Sequence, residues 1–77
     1  MNHIQKTNFL KKIITAYLNR ISPNKVAEKH KIQNYLLQNN ITLHNFNEAL
    51  NELEQENQIF KDNIYGNIYY STNNVVV

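Results

Sequence analysis

The chain has no cysteine and no tryptophan, and only one glycine and one proline among its 77 residues. Without cysteine it can form neither a disulfide nor a thiolate metal site. A single glycine excludes a glycine-rich phosphate-binding loop. Long apolar runs are also missing, because Lys6, Lys11 and Lys12 interrupt the first 18 residues. We therefore expect no signal peptide, no membrane segment and a cytoplasmic location.

Groups for catalysis or metal binding are equally sparse. Asp62 is the only aspartate, and the three histidines have neither i, i+4 spacing nor a cysteine partner. A chain of 77 residues also has little length to spare for a deep cleft. We therefore expect no enzymatic activity, no metal ion or other cofactor, and no small-molecule substrate.

The residues that are present predict one small globular domain spanning 1–77. Hydrophobic residues make up 42% of the chain and charged residues 18%, which is not the composition of a disordered protein. Hydrophobic periodicity predicts three helices, near residues 5–20, 23–39 and 43–57, and it leaves open a break of the second helix near Lys29–Lys31. The first is the clearest, since its apolar side chains recur at steps of one and three.

Local signals predict where these helices begin and end. Ser22 followed by Pro23 is a typical helix start, with serine as the N-cap and proline at the first helical position. Asn39 and Asn40 predict a turn, because asparagine tolerates the left-handed conformation that ends a helix. Thr42 is then the predicted N-cap of the third helix.

After the third helix the period changes from 3.6 to 2, which predicts a β-hairpin at 58–72 around Gly66. Tyr69 and Tyr70 should point to opposite faces of their strand, so that one is buried and one exposed. Residues 73–77 either add an edge strand or fray. The side chains predicted to form the core are Phe9, Ile13, Tyr17, Val26, Leu36, Phe46, Leu50, Leu53 and Ile59.

Three helices followed by a hairpin resemble the winged helix-turn-helix fold. The likeness is most specific at residues 41–60, where Leu53, Glu54 and Asn57 are similar to the Leu-Glu-x-x-Gly pattern that precedes the hairpin, or wing, in that family. Asn57 stands where glycine is usual, and asparagine is the next best residue for a left-handed helix end. The resemblance implies an α+β winged-helix domain that binds nucleic acid or docks on a protein.

In DNA-binding winged helices, the third helix enters the major groove and the wing touches the backbone or the minor groove. The resemblance therefore implies base contacts from the exposed side of the third helix, where Asn and Gln can pair with adenine and Glu with cytosine. On the wing it implies contacts from Lys61, Asn63 and Tyr65. The third-helix residues that would face bases are His44, Asn47, Glu48, Asn51 and Gln55.

Charge is distributed unevenly along the chain. Residues 1–31 have seven Lys or Arg and one Glu, a net +6, whereas residues 32–57 have four Glu and no basic residue. Lys and Arg supply most non-specific affinity for DNA, while Glu48 and Glu52 on the third helix should repel phosphate. We therefore expect DNA to contact the first two helices and the wing. The residues expected to bind it are Lys11, Lys12, Lys25, Lys29, Lys31, Lys61 and Tyr65.

Two functional hypotheses stay open on this basis. In the first, the chain is a DNA-binding module for single or double strands, with Tyr65 stacking on a base. In the second, it is a protein-docking accessory subunit of a polymerase, primase or helicase and uses its acidic third helix. Its size, its winged-helix order of elements and its AT-rich composition, which includes 15 asparagines, are similar to those of winged-helix accessory proteins in replication modules of Gram-positive mobile elements. That likeness implies a role in DNA replication or regulation. The alternative is purely structural: the lysines form an ordinary solvated face and Tyr65 folds back on the sheet.

Overall fold

The computed structural model describes residues 3–21 and 26–72, which form three helices and a three-stranded antiparallel sheet. The strand order is β1-β3-β2, so the last strand is central and pairs with both others. The predicted α+β class is confirmed, and the sheet has one strand more than the predicted hairpin. The elements are α1 His3–Ile21, β1 Ala27–Glu28, α2 Lys29–Gln38, α3 Phe46–Gln55, β2 Phe60–Ile64 and β3 Asn67–Ser71.

The start of the second helix was predicted wrongly, because α2 begins at Lys29 and not near residue 23. Ala27 and Glu28 are instead extended, and Ala27 pairs with Tyr70 of the central strand. This pairing buries Ala27 and completes the sheet, so tertiary contact outweighs helix propensity here. The Ser22–Pro23 signal, like Lys25 and the tail 73–77, lies outside the described residues.

Asparagine ends the second and third helices, as the sequence predicted. Asn40 has a left-handed φ of 59°. Its N–H donates to the Leu37 carbonyl at 3.1 Å, and the Ile41 N–H donates to the Leu36 carbonyl at 2.9 Å. These two bonds form a Schellman motif, which satisfies carbonyls that would otherwise lack a partner at the helix end. Asn57, with φ 58°, ends α3 by the same pattern.

The third helix begins later than predicted, at Phe46, and Thr42 is not its N-cap. The residue before the helix is Asn45, which has a left-handed φ of 68° and makes no side-chain capping bond. The preceding segment is not helical, and it packs Ile41 and Leu43 against the core. These two side chains are apolar because the loop packs them against the core, not because they belong to a helix. The apolar stripe beginning at residue 43 therefore predicted the start of α3 too early.

The predicted hairpin is confirmed, and it closes in a two-residue turn. Ile64 pairs with Asn67, which leaves Tyr65 and Gly66 as the two turn residues. Their φ values are 51° and 83°, the pair of positive angles that a type I′ turn needs. Both strands therefore extend almost to the tip.

The core confirms most of the predicted side chains, but α1 is rotated relative to the prediction. Ile13 and Tyr17 are partly buried against the core, whereas Phe9 is 43% exposed. Thr7 is buried and the Lys11 side chain is only 15% exposed, so this side of α1 faces inward. Phe9 is turned outward as a result. The fully buried row of the helix is Leu10, Ile14 and Leu18.

Val26 was also predicted in the core, and it too is 43% exposed, because it precedes β1 at the edge of the sheet. Tyr70 is the buried member of the tyrosine pair on β3 and Tyr69 is the more exposed one. No helix within residues 3–21 or 26–72 combines the length and the apolar character that crossing a membrane requires. The predicted side chains that are buried are Leu36, Phe46, Leu50, Leu53 and Ile59.

Candidate nucleic-acid interface

The tip of the β2–β3 hairpin presents an aromatic side chain to solvent. Tyr65 is 100% exposed, and its neighbour Ile64 is 40% exposed. Tyr65 therefore does not fold back on the sheet. Asn63, on the same strand as Ile64, is exposed as well. The hairpin thus projects an apolar and aromatic tip beyond the body of the protein.

A shallow cleft of about 240 Å3 lies between this hairpin and the start of α2. On the hairpin side it is lined by Gly66 and Asn67. On the helix side it is lined by Lys29, His30 and Gln33. The fold therefore brings the cationic start of α2 next to the aromatic turn, although they are more than 30 positions apart in the sequence.

The glutamate that also lines this cleft is occupied by contacts within the protein. Glu28 Oε2 lies 2.9 Å from His30 Nδ1, and Glu28 Oε1 accepts a hydrogen bond from the Tyr69 hydroxyl at 3.3 Å. Burial and the charge of Glu28 raise the pKa of Tyr69. Lys29 and Lys31 make no ion pair with any other residue that the structure describes. Their charges are therefore available to a ligand.

Lys11 and Lys12 are adjacent in sequence but differ in environment. Lys11 Nζ lies 2.8 Å from Glu56 Oε2 and 3.3 Å from Glu52 Oε1. The hydrogen bond to Glu56 is the main cause of the raised pKa of Lys11, partly offset by burial, with a further contribution from Glu52. Lys12 is exposed and has no ion pair within 3–21 or 26–72. Lys25, the remaining predicted contact on this part of the chain, is not among the described residues.

Each glutamate of the third helix and its C-terminal end lies next to a basic side chain of another element, with Lys11 shared by Glu52 and Glu56. Besides the pairs made by Lys11, Glu48 Oε2 lies 2.8 Å from His3 Nε2, and Glu54 Oε1 lies 3.8 Å from Lys61 Nζ. The basic residues of 1–31 and the acidic residues of 32–57, which are separate in the sequence, are thus partly brought together in the fold. Because Glu54 engages Lys61, this predicted hairpin contact is less free to meet a phosphate than Lys29.

A stripe of neutral amides remains on the exposed side of α3. Asn47, Asn51 and Gln55 are four residues apart, so they lie on one face of the helix. All three side chains are exposed, and none of them makes a hydrogen bond with another residue in the described ranges. His44 is exposed in the turn before the helix. Four of the five base-contacting residues that the resemblance implied are therefore accessible, whereas the fifth, Glu48, contacts His3 of α1. Glu52 likewise contacts Lys11 of α1.

Two residues that the sequence analysis did not single out also line the cleft, namely Gln33 and Asn67. Gln33 lies four positions after Lys29, so the helical repeat could have placed it on the same face. Asn67 could not have been found in this way, because its position depends on the packing of the hairpin against α2.

Among residues 3–21 and 26–72, no three His, Cys, Asp or Glu side chains lie together as a metal site would require. Comparison with known proteins found no significant match, whether to a family model, to a curated protein or to a solved structure.

Proposed function

We propose that this chain is a non-enzymatic winged-helix module that binds DNA, with the β2–β3 hairpin as its wing. The three helices, with β1 before α2 and the hairpin after α3, are compatible with that fold. The proposed interface combines the wing tip with the start of α2. In an accessory protein of DNA replication or regulation, such a module would engage template DNA.

The observation that carries this proposal is the conformation of Tyr65. A non-glycine residue at φ 51° is strained, and type I′ turns favour asparagine at this position. Tyr65 is also fully exposed, so it gains no stabilisation from burial. Neither backbone geometry nor packing accounts for a tyrosine here. Stacking on a base does account for it, since base–aromatic stacking contributes about 1–3 kcal/mol per base in single-strand binding.

Unpaired lysines on α2 also support the proposal. Lys29 lines the cleft beside the wing, whereas Lys31, two positions further along α2, lies on another side of the helix, beside Val26, Ala27 and Tyr69. Because neither has a carboxylate partner among the described residues, each can neutralise a phosphate and release a counterion. Tyr65 would then contact a base while Lys29 contacts the adjacent backbone.

The amide stripe on α3 supports a second contact if the ligand is a duplex. Asn and Gln side chains pair with adenine in the major groove. The objection that Glu48 and Glu52 repel phosphate is weakened, since both are paired with residues of α1. The same pairing gives less support to the alternative in which these glutamates dock on a replication enzyme. Protein docking through the acidic third helix is therefore the weaker proposal.

Fluorescence anisotropy with labelled single-stranded and duplex DNA, at low and at physiological salt, tests the proposed function. We expect binding that weakens as salt rises. Tyr65→Asn keeps the turn and should weaken binding to single strands at least fivefold. A preference for duplex that Tyr65→Asn does not alter would favour the α3 stripe. No binding to either DNA at low salt would contradict the proposal.

A charge-removal variant and a control test the electrostatic part. Replacing Lys29 and Lys31 by glutamine should reduce the slope of log affinity against log salt by about 1.8 for duplex DNA. The control replaces Lys6, which is exposed on α1 and is not among the lysines expected to bind DNA, and should leave that slope nearly unchanged. An equal effect per replaced lysine would mean that the lysines act only as diffuse surface charge.

A further inference from the structure

The outward rotation of α1 creates a groove at a place that the DNA interface does not use. Between α1 and the segment joining α2 to α3 lies a cavity of about 410 Å3, within the size range of ligand pockets. Its apolar wall is formed by Phe9, Leu10 and Ile41, and its polar edge by Lys6, Thr42 and His44. We refer to it as the Phe9 groove.

Phe9 is also the boundary of a second depression. On the opposite side of its ring, a hollow of about 400 Å3 is lined by Gln5, Asn8 and Lys12. Phe9 is therefore a ridge between two depressions, with much of its ring in solvent. An exposed large aromatic flanked by concave surface is typical of an interaction site.

The charges around the two depressions all have one sign. Lys6 lines the groove and Lys12 lines the second hollow, and no carboxylate lines either of them. Neither lysine makes an ion pair with another of the described residues. The complementary ligand is thus apolar at its centre and acidic at its edges.

We propose that the Phe9 groove docks a segment of a partner protein that inserts a bulky apolar side chain between Phe9 and Ile41. Carboxylates on the same segment pair with Lys6 and Lys12. This surface is separate from the α3 glutamates and opposite to them in charge. The module would then hold DNA at the wing and an acidic partner at α1.

A second copy of the chain fits the groove less well than an acidic partner does. Each glutamate in the described part of the chain already contacts a lysine or histidine within 4 Å, which leaves Asp62 as the one carboxylate there without a basic partner. Nucleic acid fits less well too: a base could stack on Phe9, but the aliphatic side chains of Leu10 and Ile41 beside that ring match an apolar protein side chain better than a phosphate.

Titration of the full 15N-labelled chain with a designed peptide tests this inference. The probe is a 14-residue amphipathic helix with one tryptophan and two leucines on one face and six glutamates beside them. Two control peptides replace the glutamates by lysines or the tryptophan by serine. We expect the acidic probe to shift the amide signals of Phe9, Leu10, Ile41 and His44, and both controls to bind at least tenfold more weakly.

Two variants of the protein complete the test. Phe9→Ser should abolish the shifts, and circular dichroism checks that the variant is folded. Replacing Lys6 and Lys12 by glutamine removes only exposed charge, so folding is preserved, and it should weaken the acidic probe at least fivefold. Lys6→Gln alone should bind DNA as the wild type does, whereas the Lys29 and Lys31 variant should bind the peptide normally.

Several results would overturn the inference. The acidic peptide could leave the groove signals unshifted at millimolar concentration, or it could bind no better than the lysine control. Concentration-dependent shifts of Phe9 without peptide would identify a second copy as the occupant, and shifts of the same amides by an oligonucleotide would identify DNA.

One further result would support the inference. Loss of DNA binding by the Lys29 and Lys31 variant, with peptide binding retained, would show that the two sites are independent.

Discussion

The ring of Tyr17 stacks on the ring of Tyr35, with centroids 4.3 Å apart, and so joins α1 to α2. The Arg20 guanidinium lies 5.1 Å from the Tyr35 centroid and 5.9 Å from that of Tyr17, within the range of a cation–π interaction. Tyr35, partly buried against the core, is therefore a packing residue. The cluster shields one side of the junction between these helices.

Tyr35→Ala should lower the free energy of unfolding by about 2 kcal/mol, because it removes a partly buried ring and its stacking contact with Tyr17. Tyr35→Phe keeps the ring, and the Tyr35 hydroxyl bonds to no other described residue. That control should stay within about 0.5 kcal/mol of the wild type. Urea denaturation followed by circular dichroism measures both, and equal losses would show that the stacking is not what stabilises this junction.

Lys11→Met should destabilise the fold by about 1 kcal/mol, because it breaks two ion pairs between α1 and the end of α3. Lys12→Met is the matched control at the next position and should change stability by less than about 0.5 kcal/mol. Thermal unfolding at low and high salt measures the difference. If high salt failed to reduce the cost of Lys11→Met, lost packing of its methylene groups would be the cause instead of lost charge.

Tyr65→Asn should stabilise the protein by about 1 kcal/mol, since asparagine adopts a positive φ with less strain than tyrosine. The same variant is expected to bind single-stranded DNA more weakly. Chemical denaturation measures the first effect and anisotropy the second. A variant that is less stable than the wild type would mean that the Tyr65 ring stabilises the fold, and the argument for its functional role would fail.

Stability should decline above about pH 10, and Tyr70 should account for part of the decline. Burial raises the pKa of Tyr70 above its ordinary value of 10.0, and the charge of Glu54 raises it further. An acid whose pKa is raised by folding favours the folded state while both states keep it protonated. That contribution is therefore complete below pH 10 and is lost as the pH rises through the folded pKa.

Tyr70→Phe separates this effect from others, because the Tyr70 hydroxyl has no hydrogen-bond partner among the described residues. The variant should have nearly wild-type stability at pH 7 and a smaller loss of stability between pH 9 and 11. Guanidinium denaturation across this range measures it. An unchanged alkaline profile would assign the decline to other groups, of which Lys11 also has a raised pKa.

The features predicted correctly are those that the chain determines locally. The turn at Asn40, the left-handed end at Asn57 and the hairpin at Gly66 each follow from residues within a few positions of one another. The features that were missed depend on distant partners. Strand β1 exists only because Tyr70 pairs with Ala27, and periodicity within residues 23–39 contains no trace of that strand.

The candidate site divides in the same way. Tyr65 could be placed at the hairpin tip from sequence alone, since aromatic and β-branched strands flank the one glycine. The ion pairs of Lys11 could not be predicted from the sequence, because its partners Glu52 and Glu56 are 41 and 45 positions away. The apolar stripe of α1 is wide enough to fit several rotations of the helix about its axis. In the rotation that pairs Lys11 with Glu52 and Glu56, Phe9 lies outside the core.

The central position of β3 also determines the order in which this protein can complete its fold. Strands β1 and β2 both pair with β3 and not with each other, so neither has a partner until residues 67–71 have been synthesised. The helices can form earlier, since their backbone bonds are local. The sheet, by contrast, must close a loop of about 40 residues between Ala27 and Tyr70, and long-range closure of this kind slows folding. During translation, β1 and β2 therefore stay without a strand partner until β3 has left the ribosome.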